Sequence, residues 1–593
     1  MTDTLLTLAE KTAFRQTGRT HEVETLCAEL ARAWPQAVRS FDYGRSAEGR
    51  PMRAIIVSRV GVLSAEELKQ RGVPVLMVQA GIHPGESDGK DAGFIALREL
   101  LGGDAAARSD ILERIAILFV PAFNTDGHER VGRWNRPNQN GPQDTGWRTT
   151  AQNINLNRDY MKADTPEMQA MLRLISEWDP LVCADLHVTD GADFEPDVSI
   201  QVEPINQGAQ SLRASGRELR DALIARLAQA GSLPLPFYPD LVEPDNPESG
   251  FVLTVYSPRF STGYFPQRNR FTVLVETHSW KPYEQRVRVT RNSIQGLAQL
   301  LVEHGARWLK EAKAADARAG DMTGGAMDLD FASSWREPLA TPASNARPTA
   351  TADEDTARAE MVDFRGYAYT RIHSDILGAL VTRYDPSKPQ IWRVPYRNKV
   401  EPSITAQVPK GGYVVTAGHA DLVAEKLSFH GVEYRRVTTR HEGVELEAFR
   451  ATSTRFSSAP FEGRMRVTLA GAWRKERVSI PATSLYVPIA QPLARLVMAL
   501  LEPQAPDSFA SWGFFNAWFE QKEHLEAYIG EPIAREMLAN DAQLAAEFRR
   551  RLAEDAEFAA SPGARLEFFH RRHASWDSSF RLCPIYRAEQ ALQ

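Results

Sequence analysis

The stretch "VPVLMVQAGIHPGESDGKDAGFIALREL", Val73 to Leu100, runs from a short apolar segment through the polar turn His83-Pro84-Gly85-Glu86 into a segment with helical spacing. An apolar run of strand length ahead of a helix-like pattern reads as a buried strand followed by a crossover helix, the unit of a parallel sheet. The pattern repeats outward from it. Strand-like "IAILFVPAF", "LVCADLHV" and "FTVLVETH" are separated by helix-like "PEMQAMLRLISEW" and "LRASGRELRDALIARLAQAG". The expected fold class is α/β: a mostly parallel or mixed sheet with flanking helices, followed by a C-terminal β-rich module and a helical tail. Asp164 or Thr165 as cap, with Pro166 in the first turn, marks the start of one of these helices.

The bulk properties exclude several function classes. The 593 residues are too many for one core and point to two to four domains of ordinary length. Seventy basic against 76 acidic side chains, a net charge of -6, leaves no basic excess to attract nucleic acid. Cys27, Cys183 and Cys583 are far apart, so neither a disulfide framework nor a thiolate metal site is expected. The most apolar late stretch, Leu485 to Leu501, is broken by Pro488, Gln491, Pro492 and Arg495, so no membrane span is expected. The N-terminal "MTDTLLTLAEKTAFRQ" lacks the features of a secretory signal. As written the chain is expected in the cytoplasm, or in the periplasm or outside the cell if a signal has been removed.

From Lys310 to Glu360 the sequence turns rich in Ala, Thr, Asp and Pro and loses periodic apolar residues, the composition of a linker. The expected organisation is an α/β domain over 1–313, a linker over 314–358, a β-rich, sandwich-like accessory domain over 359–490 and a helical region over 491–593.

His-x-x-Glu occurs three times, at His21, His83 and His430. Ligands of open α/β sheets gather at the carboxyl ends of the strands. Of the three, His83 and Glu86 follow a strand; two other strands run into His187 and Glu276. Two imidazoles and one carboxylate leave the fourth position of a tetrahedral zinc open to water, the ligand set of a hydrolytic site, and His83, Glu86 and His187 meet that need. A carboxylate at the end of an apolar strand is costly unless it is paired or functional, and Glu276 would serve as a general base beside such a site.

Six segments in order, "GRSAEGRPM" at Gly44, "HPGE" at His83, "FNTDG" at Phe123, "NLNRD" at Asn155, "DLH" ending at His187 and "VETH" around Glu276, resemble the zinc metallocarboxypeptidases, the carboxypeptidase A-like family, over about Phe14 to Lys313. The resemblance is to a bacterial-type multi-domain member. It implies one zinc per chain held by His83, Glu86 and His187, Glu276 as general base, and Asn157 and Arg158 as the pair that holds the terminal carboxylate of a peptide substrate. A planar guanidinium can pair both carboxylate oxygens. The resemblance further implies a cation that stabilises the oxyanion and a mobile tyrosine over the substrate. Arg148 is assigned the first role, with Arg136 as its rival, and Tyr256 the second, with Tyr264 as its alternative.

Where the family commonly places an Asp two residues before the carboxylate-binding Asn, this chain has Asn155. A neutral amide can still accept a bond from a zinc-bound imidazole but contributes less charge, so weaker metal binding is expected. The leading expectation is a zinc carboxypeptidase that removes a C-terminal residue with metal-activated water. The alternatives are a zinc amidase or deacylase on small acyl-amino acids and a catalytically silent peptide- or glycan-binding protein. Retention of Glu276 speaks against silence.

Overall fold

The computed structural model describes residues 3–102, 111–333 and 359–592. Ten strands precede the long helix Tyr283–Arg318: β1 (Val38–Arg45), β2 (Pro51–Val57), β3 (Val75–Ala80), β4 (Ala116–Val120), β5 (Val182–Val188), β6 (Val198–Glu203), β7 (Pro234–Leu235), β8 (Asp240–Leu241), β9 (Phe251–Val252) and β10 (Phe271–Thr277). Eight of them form one mixed sheet in the order β1-β2-β4-β3-β5-β10-β6-β7. Its centre, β4-β3-β5-β10, is parallel. These four are the near-continuous apolar runs of the sequence, because a parallel strand is buried on both faces. Alternate side chains go to opposite layers. Leu76, Val78 and Ala80 pack with the helices Asp88–Gly102, Arg213–Gln229 and Tyr283–Arg318. Val75 and Met77 face the other way, toward the helix Pro166–Trp178. That helix is capped by Thr165, whose hydroxyl accepts the Met168 N–H, with Pro166 in its first turn.

From β3 the chain crosses to β4 on one side, and β5 has β10 on the other. The carboxyl ends of β3 and β5 therefore meet at a point where the winding of the sheet reverses, the place where open α/β sheets leave a crevice.

The later chain departs from the expected organisation. Helix Tyr283–Arg318 runs past residue 313, and β11 (Ala326–Ser333) lies inside the expected linker, paired with β14 (Val400–Gln407). Met327 and Leu329, alternating with acids, are the buried side of β11, a period-two pattern hidden by its Gly- and Ala-rich surroundings. The rest of that linker, 334–358, lies outside the described residues. In place of a sandwich, the β-rich stretch contributes to three separate sheets. The long hairpin of β12 (Glu360–Ser374) and β13 (Ala379–Arg397) extends the short strands β9 and β8 of the first domain.

The largest of the three sheets has the order β16-β19-β15-β20-β17-β18, with β15 (Gly412–Val415), β16 (Arg435–Arg436), β17 (His441–Phe456), β18 (Val467–Ile480), β19 (Leu485–Pro488) and β20 (Leu582–Ala588). Strand β20 comes from the expected helical region and pairs with both β15 and β17, so that region closes the sheet before it. Three of its helices, Ala527–Asn540, Ala542–Glu554 and Pro562–His570, pack largely on one another, whereas Ala494–Leu501 is buried in the main core. Residues Tyr413, Leu427, Leu485, Leu500 and Ile585 share a single buried cluster with Met77 and Leu118 of the central sheet. The two halves of the chain are thus joined by core as well as by sequence.

Candidate metal centre and active-site cleft

After β3 the chain turns at Gly81 (φ +68), where a Cβ would stand 3.2 Å from the Ala122 Cα. The turn that follows is closed by Glu86 N–H donating to the His83 carbonyl, 2.9 Å. At Gly85 a Cβ would lie 2.4 Å from Cγ of Arg136, so glycine lets the arginine stem pass behind the turn. His187 arrives from β5, and the parallel register sets Glu276 of β10 directly beside it.

His83, Glu86 and His187 are buried, and their potential ligand atoms lie within 4.8 Å of one another. Nδ1 of His83 is 3.0 Å from Glu86 Oε1, and Nδ1 of His187 is 2.9 Å from Oε2. His83 Nε2 faces an acceptor, Asn155 Oδ1 at 3.1 Å, and Asp185 Oδ2 lies 3.1 Å from His187 Nε2, within ion-pair distance but out of line for a hydrogen bond. The Asn155 oxygen is fixed as the acceptor because it also receives the Asn157 N–H at 2.9 Å. With the protons on Nε2, two Nδ1 lone pairs and a carboxylate converge on one point, an arrangement that a cation between them would stabilise. This donor set fits zinc.

Two arginines reach the same carboxylate. Arg136 Nη1 lies 3.1 Å and Arg148 Nη1 3.5 Å from Glu86 Oε1. The Arg136 side chain is 10 % exposed and bonds back to Gln139 and the Val188 carbonyl, whereas Arg148, 39 % exposed, lines the cleft.

The cleft, about 320 Å³, is lined by His83, Glu86, His187 and Glu276 together with Arg148, Asn157 and Arg158. Burial pushes the Glu276 carboxyl up to about 8, with the negative charges of Glu86, Asp190 and Asp185 adding to the rise and His187 opposing it. A bound dication would also oppose it. Arg158 stacks over Phe260, with Cζ 4.2 Å from the ring centroid, and donates to the Asn157 carbonyl at 2.6 Å. Burial, then Arg148 and Arg259, lower its pKa to about 10. Among the described residues no carboxylate forms an ion pair with its guanidinium.

Tyr256 lines the cleft beside Phe260, whereas Tyr264 is buried in the core with its hydroxyl 3.0 Å from His430 Nδ1. Of the other two His-x-x-Glu pairs, His21 is exposed on a helix and His430 is packed under Tyr264, both away from the cleft.

Sequence reasoning assigned no role to Asp185, although it stands two residues before His187 and so on the same face of β5. Ser261 Oγ and Gln79 Nε2 both donate to its carboxylate, at 2.5 and 2.8 Å. Asp190, Tyr238 and Asp240 also line the cleft unforeseen. Asp240 sits in β8, braced by the β12–β13 hairpin. Burial, with Asp190 adding to it, pushes its carboxyl up to about 6 against the hydrogen bond from Thr254.

Residues 23–192 match the family described as zinc carboxypeptidase. "Carboxypeptidase 2" of Trichophyton tonsurans is 22 % identical over 491 residues, covering 79 % of each chain. Among solved structures, the metallo-carboxypeptidase from Burkholderia cenocepacia aligns at 16 % identity over 48 % of this chain and 69 % of its own, with a TM-score of 0.35. That from Pseudomonas aeruginosa, in complex with (2-guanidinoethylmercapto)succinic acid, aligns at 19 % identity over 47 % and 68 %, also with a TM-score of 0.35.

Proposed function

We propose, proceeding from the match of residues 23–192 to the zinc carboxypeptidase family, that this chain is a zinc-dependent carboxypeptidase acting on peptides with a free C-terminal carboxylate. The observation that carries the reading is the composition of one cleft, in which the His83–Glu86–His187 group and Glu276 are brought together with Arg148, Asn157 and Arg158.

One zinc per chain, held by His83, Glu86 and His187, would supply a Lewis acid for the scissile carbonyl and lower the pKa of a bound water. Glu276 is positioned to take the proton of the attacking water and return it to the leaving amine. Arg158 and Asn157 hold the terminal carboxylate of the substrate. Both line the cleft, and among the described residues no carboxylate forms an ion pair with the Arg158 guanidinium. Arg148 stabilises the oxyanion as it develops, a task for which its opening onto the cleft suits it better than Arg136. Tyr256, with its ring against Phe260, covers the bound residue.

The test is release of free amino acids from a mixed peptide library by the zinc-loaded protein. Activity should disappear with a chelator and return with zinc. Glu276→Gln should cut turnover about a hundredfold or more with zinc still bound, the usual scale of general acid–base catalysis. A folded, zinc-loaded Glu276→Gln protein of near-normal activity would overturn the role of Glu276. Hydrolysis of small acyl-amino acids in place of peptides would favour the amidase reading, and no hydrolysis at all would favour the binding protein.

A further inference from the structure

The turn joining β17 to β18, from the C-terminal half of the chain, packs against the loop that carries Asn155 into Asn157 and Arg158. Phe461 and Arg464 bridge each other, leaving Glu462 (φ 48) and Gly463 (φ 79) at the tip. A pair of positive φ values favours Asn-Gly or Asp-Gly, and glutamate is a poor choice for the first position. A strained residue persists where its surroundings determine it, often at a functional site. Here the Glu462 Oε2 accepts the main-chain N–H of Asn155 at 2.8 Å, across 307 residues. Beside it Arg464 grips Asp164 through two hydrogen bonds of 2.6 and 2.7 Å, and Gly463 faces Ile154, where a Cβ would stand 3.1 Å from Cδ1. Asn155 is the residue whose side-chain oxygen meets both His83 Nε2 and the Asn157 N–H.

A second contact lies beside it, where Arg259 Cζ stands 5.9 Å from the Phe461 ring centroid. Buried Asp507 accepts the main-chain N–H of Arg259 at 3.0 Å and its guanidinium at 3.1 Å, fixing the residue before Phe260, on which Arg158 stacks.

We infer that the C-terminal region braces the catalytic cleft from behind, with Glu462 as a positioning residue that fixes Asn155 and, through it, the His83 ring and Asn157. The inference rests on the carboxypeptidase reading for what the cleft does, but its metal arm can be measured without any turnover. In Glu462→Ala the Asn155 N–H loses its acceptor and the loop over 154–158 gains freedom. Zinc affinity, measured by chelator competition, should fall roughly threefold to tenfold, below the scale of a direct partner of a ligand. KM for a free-acid peptide should rise by a similar factor with a smaller change in kcat, because the carboxylate-binding pair is displaced. Glu462→Gln, whose amide oxygen can still accept the N–H, should lose markedly less on both measures, which a general loss of packing would not produce. Thermal unfolding of both variants checks that they are folded. If Glu462→Ala cannot be purified, Glu462→Asp, one methylene too short to reach Asn155 from the tip, carries the same expectation. A folded Glu462→Ala or Glu462→Asp protein with unchanged zinc affinity and KM would overturn the inference. If the wild-type chain binds zinc but cleaves no peptide, the carboxypeptidase reading fails while the zinc measurement still decides this one.

Discussion

Asp185 Oδ2 lies 3.1 Å from Nε2 of His187, behind the imidazole and opposite the Nδ1 that faces Glu86. Its other oxygen receives Gln79 Nε2, and Gln79 in turn accepts the Tyr160 hydroxyl at 2.8 Å, so the carboxylate is held in a buried network. A carboxylate charge at that distance raises the basicity of the ring toward a metal. Asp185→Asn keeps the shape and removes the charge. Zinc affinity should fall about ten- to hundredfold, the usual scale of such partners; competition with a chromophoric chelator measures it, and unchanged affinity would show that Asp185 only packs.

His83 differs from His187 in this respect, because its Nε2 partner is the neutral amide of Asn155. Asn155→Asp puts a charge in the same place and should tighten zinc by up to about ten- to hundredfold. The loop also needs the Asn155 oxygen for the Asn157 N–H, a bond that the aspartate can keep. A variant that binds zinc no better than wild type would mean that the charge gained is offset by the nearby Glu462 and Glu86 carboxylates.

The His-x-x-Glu pairs at His83 and His430 separate cleanly in their expected effects. His83→Ala or His187→Ala should abolish zinc binding, measured as metal content after dialysis. His430→Ala should leave it intact. His430 Nδ1 and Nε2 lie 3.0 Å from the Tyr264 hydroxyl and 3.2 Å from the Met161 carbonyl, so its loss leaves buried groups unpaired and costs about 1 to 3 kcal/mol in unfolding free energy. Loss of zinc in His430→Ala would contradict the placement of the metal at the end of β3.

Much of the cleft was legible because parallel strands advertise themselves. In "VLMVQA" and "FTVLV" every residue is buried, so the first polar residues after them stand at the carboxyl edge, where the crevice is. The unread part is long-range. Asp185 was passed over because a strand buried on both faces gives no hydropathy signal to tell one face from the other. Nothing in "LCPIYRA" says that it enters a sheet between β15 and β17, since pairing partners and register are not local properties. The same limit hid Glu462, whose only local oddity, a positive φ, is itself imposed by its surroundings.

Acid should weaken the junction of the two halves through Asp164. Burial alone would raise its carboxyl pKa, but Arg464, Lys162 and Lys426 outweigh it and bring it down to about 2. The folded pKa lies below the unfolded value of about 3.9, so the stabilisation is complete above that pH and is lost as pH falls toward 2. Its size is about 2 kcal/mol. Asp164→Asn should remove that part of the acid dependence and lower stability at neutral pH by at least a similar amount, because Arg464 then lacks its counter-charge. Denaturant unfolding at pH 7 and pH 3 measures both, and parallel pH profiles for wild type and variant would show that the pair contributes nothing.

Arg158 decides between a carboxypeptidase and its alternatives. A charge-assisted pair between a guanidinium and a carboxylate contributes about 1.5 to 3 kcal/mol, or roughly one to two powers of ten in rate or affinity. Amidating the C-terminus of a peptide should therefore cost at least that much in kcat/KM. Arg158→Met should cost a similar amount on the free acid, since its stacking on Phe260 does not replace the lost charge. On the amidated peptide the same substitution should cost far less, because the group it served is already gone, and that shortfall is the coupling a double-mutant cycle measures. Equal cleavage of free and amidated peptides, or cuts within long peptides, would mean that Arg158 does not read a terminal carboxylate.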